Sequence, residues 1–124
     1  TAVVLLKFEN GATAIINNSR KSVYGYDQRL EVFGTMGMAN LDNHYLDTHR
    51  FYNHEGGHSP LALDFFLERY EDAYLQEMNA FVEAVRLEQP IPVGVFDALQ
   101  ATRIALAAQR SMTENLPIKF SEIK

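Results

Sequence analysis

The sequence contains no cysteine, so it can form neither a disulfide nor a thiolate metal site, which is typical of intracellular proteins. It also lacks any run of basic residues, and its 16 acidic and 11 basic residues give a formal net charge of -5. This balance disfavours nucleic acid and anionic membranes as partners. No stretch approaches the roughly 20 apolar residues that span a bilayer. We therefore expect a soluble, cytoplasmic protein.

The 124 residues, 47% of them hydrophobic, suffice for one globular domain or for a piece of a larger protein. The chain opens directly on a strand-like run, Thr1 to Phe8, without an initiator methionine. We expect one domain spanning residues 1–124, as a fragment of a longer protein.

A glycine-containing phrase at residues 32–39, VFGTMGMA, looks at first like a phosphate-binding loop. A dinucleotide loop needs G-x-G-x-x-G/A between a parallel strand and a helix. Here the spacing is Gly34-x-x-Gly37-x-Ala39, and residues 40–44, NLDNH, are poor helix formers. The pattern predicts a β-turn in which glycine supplies positive φ.

The first half of the chain has the character of antiparallel strands. Asn10-Gly11 lies between two β-rich runs, which is a strong hairpin signal. Both runs are apolar on successive residues, so both faces of the sheet need cover, one from helices and the other from a candidate partner subunit. Further strands are predicted at 26–33, 38–41 and 44–52, a loop at 53–60, and a last edge strand at 118–120.

The second half predicts two amphipathic helices. Residues 63–87 contain no glycine or proline and carry apolar residues at i, i+3 and i+4, and Pro90 and Pro92 follow. A second helix is predicted over 95–113, ending before Pro117, with these residues inward: Leu99, Ile104, Ala105, Ala108 and Met112. The order predicts an α+β fold with a mostly antiparallel open sheet and two long helices on one face.

Histidines and carboxylates are one group of candidate site residues. The four histidines are His44, His49, His54 and His58. Their spacing does not favour a metal site, because a separation of five puts two of them on opposite faces of a strand. We expect solvated or locally hydrogen-bonded histidines. Glu68, Glu71 and Asp72 could form a general-acid pair, but they cluster on the outward side of the first helix, where a charged solvent face explains them.

Four tyrosines form a second candidate group. Tyr24 and Tyr26 flank Gly25, and Tyr70 and Tyr74 lie one helical turn apart. A tyrosine offers an apolar ring and a polar hydroxyl, which suit the face and edge of a polyhydroxylated ring. Core tyrosines with one satisfied hydroxyl are the alternative, and spacing alone favours that alternative.

Several stretches carry a family resemblance that covers essentially the whole chain. They are YGYDQRLEVFG at 24–34 followed by Gly37-Met38, RYEDAYLQE at 69–77, PIP at 90–92 and VFDALQA at 95–101. The chain resembles the carboxy-terminal domain of the Gfo/Idh/MocA oxidoreductases. The resemblance implies a two-domain dehydrogenase whose amino-terminal Rossmann domain binds NAD, and a homo-oligomer, a dimer or tetramer, formed through the free face of the sheet.

The resemblance also implies where the chemistry lies. The family's Glu-Lys-Pro and Asp-x-x-x-His motifs precede the matched part, so this chain alone is expected to be inactive, with no catalytic, cofactor-binding or metal-binding residue. Tyr26 and Tyr74 match positions where family members that oxidise inositol place substrate-contacting hydroxyls. We therefore expect them to bind substrate, with myo-inositol oxidised to its 2-keto derivative. Alternatives are another sugar or polyol, or a non-catalytic oligomerisation or ligand-binding module.

Overall fold

A computed structural model describes residues 1–123 of the chain. Its long helices are α1, Phe66–Arg86, and α2, Val95–Glu114, and a short 3-10 helix follows at Phe120–Glu122. The strands are β1 Ala2–Lys7, β2 Thr13–Asn18, β3 Leu30–Gly34, β4 Gly37–Leu41, β5 Phe51–Asn53 and β6 Gly56–His58. Within the described residues they pair as three two-stranded sheets, β1 with β2, β3 with β4 and β5 with β6. The predicted α+β class, with antiparallel strands and two long helices, is confirmed.

The chain divides into two compact units. The first contains Asn18–Gln76, with the β3–β4 and β5–β6 hairpins and the first half of α1. The second contains Ala2–Asn17 and the chain from Glu77 onward, with the β1–β2 hairpin, the second half of α1 and α2. The candidate site described below lies entirely in the first unit.

Two of the predicted turns are confirmed. Between β1 and β2, the N–H of Phe8 donates to the carbonyl of Ala12 at 2.9 Å and the N–H of Gly11 donates back to Phe8 at 3.0 Å. Between β3 and β4, Gly34 pairs with Gly37, whose φ is 149°. The glycines of the VFGTMGMA phrase therefore turn one antiparallel strand into the next, and no helix follows them.

Several strand boundaries were predicted wrongly. The strand predicted at 26–33 begins only at Leu30, and the one predicted at 44–52 is reduced to β5 at Phe51–Asn53. The predicted loop at 53–60 contains β6, because the Asn53 side chain accepts the N–H of Glu55 and of Gly56 and closes a hairpin. At this turn, side-chain hydrogen bonds to nearby backbone support the pairing of β5 with β6.

The predicted edge strand at 118–120 is also wrong. Residues from Phe120 form a 3-10 helix instead, held by Arg103. The Arg103 Nε donates to the Ile123 carbonyl at 3.0 Å, and its guanidinium carbon lies 4.5 Å from the Phe120 ring centroid. Ile123 is buried. The Arg103 Nη2 also donates to the Phe120 carbonyl at 3.4 Å, so an arginine on α2 occupies a carbonyl inside the predicted strand.

Both helices end where the sequence predicts. After α1, Glu88 adopts a left-handed φ of 54°, and the N–H of Gln89 donates to the Ala84 carbonyl at 2.9 Å ahead of Pro90. Asn115 caps α2 with φ 56°, two residues before Pro117. On α2, Ile104 and Ala108 are partly buried as predicted, whereas the other three residues predicted inward are exposed: Leu99, Ala105 and Met112. Within residues 1–123, no helix is long and apolar enough to cross a bilayer.

Candidate functional site

The segment before α1 is joined to two earlier stretches by backbone hydrogen bonds. The N–H of Tyr26 donates to the Leu63 carbonyl at 2.6 Å, and the N–H of Leu63 donates to the His44 carbonyl at 3.0 Å. Tyr45 and Ala62 form an isolated antiparallel bridge. These bonds place Tyr26 beside the start of α1, although the two are about 40 residues apart in the chain.

Gly25 makes this junction possible. Its φ is +117°, and a Cβ atom added to it would lie 2.5 Å from the Ala62 carbonyl oxygen. No side chain fits at that distance, so only glycine permits the approach. The glycine of the Tyr-Gly-Tyr-Asp stretch is thus required by the close approach of the Ala62 backbone.

Three of the four tyrosines form one cluster. The rings of Tyr26 and Tyr70 meet edge to face, with centroids 5.7 Å apart and planes at 82°. Tyr70 and Tyr74 meet similarly, at 6.1 Å and 69°. Edge-to-face contacts at these distances are the favoured arrangement of aromatic rings. Tyr70 is therefore the central ring, with Tyr26 on one side and Tyr74 on the other.

The hydroxyl of the central ring is already occupied. Tyr70 donates to the Oε1 atom of Gln28. Burial raises the pKa of Tyr70, and the neighbouring Tyr26 hydroxyl raises it further. A hydrogen bond of this kind contributes about 0.5–1.5 kcal/mol, whereas ordering a glutamine side chain costs up to about 2 kcal/mol of rotamer entropy. The pair therefore adds little to the free energy of unfolding, and its main effect is to fix the Tyr70 ring.

The two predicted substrate-side tyrosines are thus brought together around Tyr70. Tyr74 is 47% exposed, and its hydroxyl has no hydrogen-bond partner among residues 1–123. Tyr24 points elsewhere, because its hydroxyl donates to Asp27 at 2.5 Å. Of the four tyrosines, Tyr74 presents the hydroxyl that is most available to a ligand.

Asp27 is the centre of a hydrogen-bond network that sequence reasoning missed. Its carboxylate accepts bonds from Tyr24, from Arg29 at 2.7 and 2.8 Å, and from the Nδ2 of Asn43 at 2.8 Å. The Arg29 guanidinium foremost, then the Tyr24 and Asn43 hydrogen bonds, holds the pKa of Asp27 well below its usual range. The Asp27 side chain is 18% exposed and that of Arg29 61% exposed.

The same network fixes Gln28. The Oδ1 of Asn43 accepts the N–H of Gln28 at 2.8 Å, while its Nδ2 donates to Asp27. Asn43 therefore links the Asp27 carboxylate to the Gln28 backbone. No local pattern around Asn43 marks this role, since its partners lie 15 and 16 positions earlier.

The predicted carboxylates line a shallow polar depression of about 340 Å³ in the first unit. Its lining residues are His44, Glu68, Arg69, Glu71, Asp72, Ala73 and Gln76. Glu68, Glu71 and Asp72 are all exposed, as expected for a charged solvent face.

His49 and His58 have their side-chain partners away from the tyrosine cluster, whereas His44 lines the polar depression. His49 pairs with Asp47, and the His58 ring lies 6.1 Å from the Phe51 ring on the β5–β6 hairpin. Across residues 1–123, no group of three or more histidine, aspartate or glutamate side chains is arranged to hold a metal ion.

Comparison with known proteins defines the class. The sequence model of the oxidoreductase family's C-terminal alpha/beta domain, Gfo/Idh/MocA, matches residues 1–120. The chain therefore belongs to the Gfo/Idh/MocA oxidoreductase family and corresponds to its C-terminal domain.

Two relatives illustrate the similarity in sequence. The uncharacterized oxidoreductase YrbE of Bacillus subtilis is 48% identical over 120 residues, covering 97% of this chain and 35% of the relative. The myo-inositol 2-dehydrogenase of Thermotoga maritima is 42% identical over 123 residues, covering 99% of this chain and 37% of the relative. The chain thus spans about a third of the length of these relatives.

Solved structures of dehydrogenases share the fold of this chain. A probable dehydrogenase from Thermotoga maritima superposes with a TM-score of 0.94 at 40% identity, covering 98% of this chain and 37% of that one. A scyllo-inositol dehydrogenase from Lactobacillus casei, with bound NAD(H) and scyllo-inositol, superposes with a TM-score of 0.85 at 30% identity, covering 94% of this chain and 34% of that one.

Proposed function

We propose that this chain is the substrate-side and oligomerisation domain of an NAD-dependent dehydrogenase that oxidises one hydroxyl of myo-inositol to the ketone, 2-keto-myo-inositol. The observation that carries the proposal is the tyrosine cluster, which presents the Tyr74 hydroxyl to solvent beside two fixed rings. The 42% identity to a myo-inositol 2-dehydrogenase supports the choice of substrate class.

The cluster suits a cyclic polyol. Such a molecule has apolar C–H faces and a rim of hydroxyls, and each hydroxyl can both donate and accept a hydrogen bond. Aromatic rings cover the C–H surface, and tyrosine hydroxyls bond the rim. Tyr26 and Tyr74 would orient the ring and help to exclude water, which acts on the rate through the geometry of the bound substrate.

We do not assign dinucleotide binding to the described residues. NAD is held by a glycine loop between a strand and a helix, whereas the one candidate phrase here forms the β3–β4 turn. We therefore assign NAD, and the groups that carry out proton and hydride transfer, to parts of the full-length protein outside this chain. In this proposal the residues present bind and orient the polyol.

Exposed apolar side chains support the assembly part of the proposal. On β1 and β2, Val3, Leu5 and Ile15 are 68%, 70% and 72% exposed, while the alternate residues Val4 and Leu6 are partly buried. A strand with period two buries one face and leaves the other for a partner. We propose that a second copy of the chain covers this face, giving a dimer or tetramer.

The substrate assignment is tested on the full-length protein with NAD. Initial rates of NADH formation are compared for myo-inositol, scyllo-inositol, sorbitol and glucose. We expect kcat/KM for myo-inositol to exceed that for glucose by at least about tenfold, because a site built to bond hydroxyls rejects rings that place them differently. A preference for glucose or sorbitol would assign another substrate, and no oxidation at all would leave a non-catalytic module.

A further inference from the structure

Gln28 is the residue through which the Asp27 network reaches the tyrosine cluster. Its side-chain Oε1 accepts the Tyr70 hydroxyl, which is contributed by α1, 42 positions later in the chain. Its backbone N–H is held by Asn43, and Asn43 is held by Asp27. Asn43 thus holds the backbone of Gln28, and Tyr70 hydrogen-bonds to its side chain.

The Gln28 contact determines which hydroxyls the cluster can offer. With its proton given to Gln28, Tyr70 serves as a ring that separates Tyr26 from Tyr74. Without Gln28, the Tyr70 hydroxyl would be free to bond a ligand or water, and its ring would keep its contacts with Tyr26 and Tyr74 but lose its polar anchor. The contact is exposed and adds little to folding stability, so orientation of the ring is its clearest consequence.

We propose that Gln28 is a positioning residue of the polyol site: by engaging the Tyr70 hydroxyl, it fixes the ring against which Tyr26 and Tyr74 are set. This inference rests on the proposed function of the cluster. It assigns a role in substrate recognition to a side chain that need not touch the substrate.

A double-mutant cycle in the full-length enzyme tests it, with Gln28→Ala, Tyr70→Phe and the double variant. Because each change removes the same hydrogen bond, each single variant should raise the KM for myo-inositol by about twofold to tenfold. The double variant should raise it no further than the larger single effect. We expect kcat and Tm to change little. Gln109→Ala, an exposed glutamine of α2, is the matched control.

A conservative variant separates positioning from general damage. Gln28→Glu keeps an acceptor oxygen for the Tyr70 hydroxyl, so its KM should lie closer to that of the wild type than the KM of Gln28→Ala does. Additive effects in the cycle, an unchanged KM, or a fall in Tm with KM intact would each overturn the inference. A wild-type enzyme that oxidises no polyol would instead defeat the proposed function, and this inference with it.

Discussion

A Cβ atom placed on Gly25 would lie 2.5 Å from the carbonyl oxygen of Ala62. This contact lies beside the backbone hydrogen bond from Tyr26 to Leu63, so the loop that carries Tyr26 and the segment that leads into α1 approach at van der Waals limits. The position of Tyr26 against Tyr70 follows from this approach. The glycine is therefore as important to the site as the tyrosines beside it.

Gly25→Ala should destabilise the protein by about 2 kcal/mol or more, because it combines a strained φ with a backbone clash. Denaturant unfolding of the full-length protein measures the loss. Gly11→Ala is the matched control: its φ of +87° is also left-handed, but nothing lies within 4 Å of an added Cβ. Equal losses for the two variants would show that the Ala62 contact has no effect of its own.

Asp27→Asn should make the free energy of unfolding fall less steeply as the pH is lowered into the acidic range. The folded-state pKa of Asp27 is lowered, chiefly by Arg29, so its carboxylate stabilises the fold fully above the unfolded-state value of about 3.9. That contribution is lost as pH falls below this value toward the lowered pKa. The difference in unfolding free energy between wild type and variant should therefore be largest near neutral pH and shrink with acidification.

Urea unfolding at about pH 7 and about pH 3 measures this difference. Asp64→Asn is the control, since Asp64 is exposed and makes no side-chain hydrogen bond in the part of the chain that the structure describes. A difference that is constant across the two pH values would show that Asp27 contributes no charge-dependent stability.

Leu5→Lys should weaken assembly of the full-length protein. The substitution places a charge on the exposed face of the β1–β2 hairpin, where burial against a second copy would require its desolvation. Light scattering after size exclusion should show a lower mass than that of the wild type. Met36→Lys, at the fully exposed tip of the β3–β4 turn, should leave the mass unchanged. An unaltered mass for Leu5→Lys would remove this face from the proposed interface.

Features with local causes were predictable from the sequence. The Asn10-Gly11 turn, the glycine turn at Gly34 and Gly37, and the ends of both helices follow from residues within a few positions of each other. Such signals depend on backbone conformation and capping, which neighbouring residues decide. The α+β class followed from the order of these elements.

Features with distant causes could not be predicted from the sequence. The prediction of a strand at 118–120 was wrong: Arg103, 17 positions earlier, donates to the Phe120 carbonyl, and a 3-10 helix begins there. Asn43 reaches the site by its hydrogen bonds with Asp27 and Gln28. Gln28 reaches it by accepting the Tyr70 hydroxyl. Periodicity indicates which face of an element is apolar, but not which distant side chain will satisfy a given polar group. The resemblance to the family therefore singled out Tyr26 and Tyr74, while their supporting residues emerged only from the structure.

Tyr74→Phe in the full-length enzyme tests the central claim most directly, because it removes one hydroxyl and keeps the ring that packs on Tyr70. The account predicts a KM for myo-inositol that rises by about twofold to tenfold, with the KM for NAD unchanged. Tyr52→Phe, on the exposed β5–β6 hairpin, serves as the control and should change neither value. An unchanged KM for myo-inositol in Tyr74→Phe would contradict the account and leave Tyr74 as a packing residue.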